Sequence, residues 1–157
     1  MLFKTLPAKP TPPGATITRR RLGAAVLETV LIMPVLLYLA FGVVEFGYYF
    51  YVKHSVEGAA REGCRAFIVS GATLTNVSTA VTASMHAAQL DNSGYTAVTQ
   101  DGSTVLTNAN YTSAIAGDTI TVTVSCTWGT AGAGYRPWAL IGASKSVIGT
   151  AVMRKEG

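Results

Sequence analysis

Charge is scarce in this chain. Lys, Arg, Asp and Glu make up 13% of its 157 residues, against roughly a quarter in ordinary soluble domains, and no acid precedes Glu28. Cysteine is scarcer still. With only Cys64 and Cys126, a disulfide-dense scaffold is excluded, while one bridge stays open in an oxidising compartment. There is no CxxC pair and no Cys/His ligand cluster. His54 and His86 stand alone, so no metal is expected. A Ser-His-Asp order, GxSxG, HExxH and paired carboxylates are all missing, so neither catalysis nor a cofactor is expected. Clustered bases are missing from the bulk of the chain. Residues 1–22 hold Lys4, Lys9, Arg19, Arg20 and Arg21, and the remainder holds seven bases against eight acids. The pI of 9.2 therefore belongs to the beginning, and nucleic acid is not an expected partner.

What is abundant is apolar surface, at 49% of residues. Four of the six prolines fall in residues 1–18, which read as a flexible leader. Residues 29–44 then run without a charge. Extended on both sides, the run exceeds the ~20 residues that cross a bilayer core. Pro34 predicts a kink or local loosening there. The upstream positive charges place the N-terminus in the cytoplasm and the rest across the membrane. Tyr49, Val52, Val56, Ala59, Gly63 and Ala66 continue at 3-4-3-4-3 spacing, which is one helical face. The pattern predicts a continuous helix over 23–69, half in lipid and half as a stalk, ended by Ser70-Gly71.

A second helix is predicted over 75–89, with Val77, Val81, Met85 and Ala88 on one face. The period then changes. Asp101-Gly102 between β-compatible runs at 95–100 and 103–107 signals a hairpin. Residues 118–128 alternate strictly, Ile120, Val122, Val124, Cys126 and Trp128 facing one way. Residues 129–134 read as a flexible loop and 145–154 as a last strand. The expected fold class is α+β: a long N-terminal transmembrane helix whose extracytoplasmic stalk packs on a small antiparallel sheet, with one additional short helix. The domain plan is a leader over 1–23, helix and stalk over 24–70, and a small domain over 71–157.

The segment "RRRLGAAVLET" before the apolar run resembles the processing site of class IV pilins and pseudopilins of the Tad (tight adherence) system. "VVEFGYYFYV" and "AAREGCRAF" resemble the stalk of TadE-like proteins, as does the strand-rich end closing in "AVMRKEG". Thr29, where an aromatic is more usual, and Cys64 depart from that pattern. The resemblance implies a minor pseudopilin taking part in assembly of a Tad-type pilus or related secretion machine. It implies cleavage between Gly23 and Ala24 by a prepilin peptidase, and a single-pass protein of the bacterial inner membrane. Implied partners are other pilins and pseudopilins, the inner-membrane assembly platform and membrane lipid. Glu28 would sit one turn from the freed amine of Ala24 and neutralise it, in its own chain or a neighbour, setting subunit register. The alternative is a helix-end acid that snorkels to the headgroups or is protonated.

Other readings stay open at this point. Ala40-Phe41-Gly42 offers a conventional signal-peptide cut before Val43, and the Thr-rich strand face would suit an adhesive surface protein. Glu45 reads as an interfacial charge beside Tyr48, Tyr49 and Tyr51. Arg61, Glu62 and Arg65 read as a solvated face. Asn76 and Asn110 match the glycosylation tripeptide, which often occurs by chance. Cys64 and Cys126 could bridge if strand and stalk bring them together, or remain two buried thiols.

Overall fold

A computed structural model describes residues 15–156, with side chains described from Gly23 onward. Residues 1–14 of the expected flexible leader lie outside them. Helix α1 spans Ala15–Ile68. It starts earlier than the apolar pattern predicts, because Ala15 to Arg21 contains no Pro or Gly and its Ala and Arg residues favour helix. It runs on through Pro34.

The chain divides into two compact units, with the division at Ala40. In the first, the described apolar side chains of α1 are bare: Val26, Leu31, Val35 and Leu39 are each more than 60% exposed. Gly23–Ile68 is a helix long and apolar enough to cross a membrane. In the second unit α1 becomes the core helix of a small α+β domain. Val52, Val56 and Ala59 are fully buried on the face that the 3-4 spacing predicts, and Ala60, Cys64 and Phe67, one position beside that face, are fully buried as well, while Ala66 is half-buried.

Helix α2 (Leu74–Ala87) buries Val77, Val81 and Met85. Strands β1 (Thr96–Asp101), β2 (Thr104–Val105), β3 (Thr119–Thr127) and β4 (Ser146–Arg154) form one antiparallel sheet in the order β2-β1-β3-β4. The β1–β2 turn is Gly102-Ser103, with Gly102 at φ +56°. A two-residue hairpin with glycine first requires that left-handed geometry. In β3 the alternation holds throughout: Ile120, Val122, Val124 and Cys126 are buried, and the threonines face away.

Strand β3 runs antiparallel to the domain half of α1. Tyr49 meets Trp128 edge-on at 5.3 Å between ring centres. At the other end Cys64 Sγ reaches the Ile120 carbonyl, and the Glu156 amide donates to the Ile68 carbonyl. The lengths agree: residues 49–64 rise about 22 Å as helix, and residues 120–127 extend about 23 Å as strand. Small residues permit the close approach. A Cβ on Gly149 would stand 2.6 Å from backbone atoms of Val56 and Glu57, and one on Gly63 2.7 Å from Val81. At the outer strand β4, Lys53 Nζ donates to the Ile148 carbonyl and pairs with Glu57 one helical turn on, at 2.9 Å.

Residues 129–134 are not the loose loop that their glycines suggest. They form most of a short helix, α3 (Trp128–Ala131), and a following turn of 3-10 helix, Ala133–Tyr135. Their glycines serve packing: a Cβ on Gly132 would fall 2.7 Å from the Trp128 ring, and one on Gly129 2.9 Å from the Ala143 carbonyl.

Candidate functional site

Gly23, Ala24 and Glu28 lie in the first unit, within α1, and all three are exposed. A Cβ built on Gly23 meets nothing within 4 Å. Glycine inside a helix costs up to ~1 kcal/mol relative to alanine, and here no neighbour requires it. Gly23 shares this with Gly47 and Gly58 of the same helix and differs in it from Gly63, Gly132 and Gly149, which the packing explains. Glu28 follows Ala24 at the one-turn spacing and has no hydrogen bond or ion pair among the described residues. Thr29 spends its hydroxyl on the Ala25 carbonyl at 2.9 Å, so it adds no polar group to the helix surface beyond what the backbone absorbs.

The second polar feature is a burial that the sequence does not announce. Glu45, expected as an interfacial charge among tyrosines, is fully buried. Its Oε1 accepts the amide proton of Ile141 at 2.9 Å, while Oε2 is buried without a hydrogen-bond partner among the described residues. The cause is the segment after the 3-10 turn, residues 135–141, which folds across α1 and covers the carboxylate. Tyr135 stacks on Tyr48 at 4.1 Å, Trp138 meets Phe41 at 6.1 Å, and Arg136 Nη2 donates to the Ile141 carbonyl at 3.2 Å. Ile141 thus answers Glu45 with its N–H and Arg136 with its C=O. No sequence pattern links Glu45 to a backbone amide 96 positions later.

The cysteines are free, and both are buried. Each faces the core, as expected, but they are not opposite one another. Cys64 sits at Ile120, and Cys126 lies six residues farther along β3, about 20 Å away at strand spacing. A bridge needs Cα atoms within about 7 Å. The bridge weighed from the sequence is therefore not formed, because β3 runs antiparallel to α1 and carries the two sulfurs to opposite ends of their contact. Burial pushes the Cys126 thiol above its ordinary range. We expect native protein to react slowly with a thiol reagent, and denatured, unreduced protein to take two labels per chain by mass spectrometry. Denatured chains that label only after reduction would refute this arrangement.

Both tripeptide asparagines are structural. Asn76 Oδ1 accepts from the Thr73 amide and hydroxyl at 2.8 and 2.7 Å. Asn110 Oδ1 does the same for Thr107, at 2.5 and 3.0 Å, and its amide donates to the Val105 carbonyl. The same T-x-x-N clasp thus fixes the start of α2 and the turn after β2. His86 meets Asp91 at 2.8 Å, while Arg61, Glu62 and Arg65 are solvent-facing. At the hairpin end of the sheet, burial and the neighbouring Asp118 push the Asp101 carboxyl upward. Among the described residues, no three His, Cys, Asp or Glu side chains converge as metal ligands would.

The N-terminal helix is bare and apolar first, then becomes the core helix of a small α+β domain. Residues 23–65 match the model of the TadE-like protein family. The match begins at Gly23 and ends one residue past Cys64, so it spans the apolar segment and most of the stalk to which the sequence resemblance pointed. The likeness covers 43 of the 157 residues. No curated protein and no solved structure matches the chain.

Proposed function

We propose that this chain is a minor pseudopilin of a Tad-type pilus or a related secretion machine, cut between Gly23 and Ala24 by a prepilin peptidase. Its helix is held in the inner membrane with the N-terminus cytoplasmic, and the sheet domain lies outside. The observation that carries the reading is Gly23. It is a glycine in mid-helix with open space around it, flanked by the basic leader and followed five positions later by Glu28. Gly47 and Gly58 of α1 have the same open space, so it is the place of Gly23 between the basic leader and Glu28 that an enzyme gripping the chain there explains. Other pilins, pseudopilins and the assembly platform are the proposed partners, met through the bare apolar helix. After cleavage the Ala24 ammonium lies one turn from Glu28, and an unpaired charge in the bilayer costs at least ~2.5 kcal/mol.

A conventional signal peptide cut after Gly42 fits less well. Gly42 is buried, with Leu140 3.3 Å from its Cβ position, and a cut there would sever α1 just before Glu45. Mass spectrometry of the mature N-terminus tests both readings. We expect Ala24 as the first residue. We further expect Glu28→Ala to be cut normally but to enter isolated filaments or assembly complexes at a fraction of the wild-type level. A mature chain beginning at Val43 would overturn the proposal, and equal incorporation of Glu28→Ala would remove Glu28 from it.

A further inference from the structure

The segment 135–141 does more than cover Glu45. Tyr135 and Trp138 are each about half exposed, on the side of the domain where α1 enters it. Leu140 packs at Gly42. Pro137 and Ala139 are exposed as well. Ala139 takes φ +49°, a left-handed geometry that a non-glycine residue adopts at a cost of order 1 kcal/mol. The hydrogen bonds of Glu45 and Arg136 to Ile141 hold the turn in that state. Between the segment and α1 lies a groove of ≈ 300 Å³, walled by Phe41, Val44, Tyr135, Arg136 and Pro137.

Three independent features converge on the occupant of this surface. The first is depth. Counting from Arg21, about 20 residues of helix cross a bilayer core, which brings the outer boundary to the position of Phe41 and therefore to Trp138, in ring contact with it. The second is residue type. Trp and Tyr with apolar neighbours favour the headgroup level, where the ring is buried and its polar edge stays wet. The third is charge. Between Asp118 and Glu156 the sequence has no acidic residue, while the half-buried Arg136, with one N–H on the Ile141 carbonyl, lies two positions before Trp138 and the exposed Lys145 seven after it. Anionic lipid attracts such a segment by about 1 kcal/mol per base near the surface.

We propose that residues 135–141 form a second membrane foot, seated among the phospholipid headgroups of the outer leaflet beside α1. This rests on the reading of α1 as a membrane span. The foot makes two attachments from one chain, the helix through the bilayer and the Trp138 turn upon it, and it keeps Glu45 out of contact with lipid where α1 leaves the bilayer.

Fluorescence depth measurement tests this on the full chain, reconstituted in phosphatidylethanolamine–phosphatidylglycerol vesicles. The lipids carry bromine either just below the headgroup or near the chain end. Trp128 is buried beside Tyr49, so subtracting the emission of Trp138→Phe from that of wild type isolates Trp138. We expect the Trp138 emission to fall by about half with shallow bromine, less with deep bromine, and little with aqueous acrylamide, as for an interfacial indole. Trp138 emission quenched by acrylamide and indifferent to bromine, in protein that resists alkaline carbonate extraction, would overturn the foot and leave the span intact. Protein extracted by carbonate would overturn the span, and the foot with it.

Discussion

Gly149→Val should unfold the sheet domain or lower its Tm by more than 10 °C. Even the first carbon of the new side chain would fall 2.6 Å from Glu57 N and from the Val56 carbonyl group. These are backbone atoms of α1, which cannot rotate away as a flexible side chain would. Overpacking of ordinary cores costs about 1–3 kcal/mol, and more where nothing yields. Here the sheet must either lift from the helix or break its ladder to β3 at the Gly149–Val124 pair. A small domain has only ~5–15 kcal/mol in reserve, and each kcal/mol shifts Tm by roughly 4–8 °C. Gly134→Ala is the matched control, since a Cβ there meets nothing within 4 Å. Thermal unfolding followed by near-UV circular dichroism decides it. A Gly149→Val protein that melts within ~2 °C of wild type would mean that the helix and sheet do not approach as described, because a clash with backbone has no cheap escape.

Gly23→Leu should leave the leader attached, slowing its removal at least ~10-fold, which corresponds to a loss of only about 1.4 kcal/mol of transition-state binding by the peptidase. The variant is informative because the chain itself does not oppose it. Position 23 has open space, and leucine is a better helix former than glycine by most of a kcal/mol. Helix, insertion and domain should all survive. Failure to cut can then be assigned to the enzyme's grip. Co-expression with a prepilin peptidase, read as the mass of the product, gives the answer. Normal cutting of Gly23→Leu would mean that the glycine is neither a packing residue nor a processing residue, and the assignment of the site would go with it.

The parts of the fold written in periodic apolar residues were legible in the sequence. The face of Val52, Val56 and Ala59, the face of Val77, Val81 and Met85, and the alternation of Ile120 to Cys126 all bury as their spacing predicts. Periodicity encodes which way a side chain faces. It does not encode how far along its partner an element sits, and that is why the cysteines face the right core at the wrong distance. Glycine is ambiguous in the same way: the composition of residues 129–134 is the same whether the backbone is loose or pressed against Trp128 and Ala143. Glu45 was the least legible residue, since its partner is a main-chain amide, which every residue but proline offers. Gly23 was legible only as part of a motif. Its Cβ position is open, as it is at Gly47 and Gly58, so the packing does not single it out.

Lys53 has a consequence for how copies of this protein can meet. Strand β4 is nine residues long and lies at the margin of the sheet. A margin of that length is a template on which a second chain can add a strand, and repeated addition leads to aggregates rather than to ordered fibres. Lys53 reaches from α1 to take the Ile148 carbonyl, with Glu57 beside it. An incoming strand would have to displace the ammonium and leave it beside a new backbone. A second copy is thereby steered away from extending the sheet at this margin.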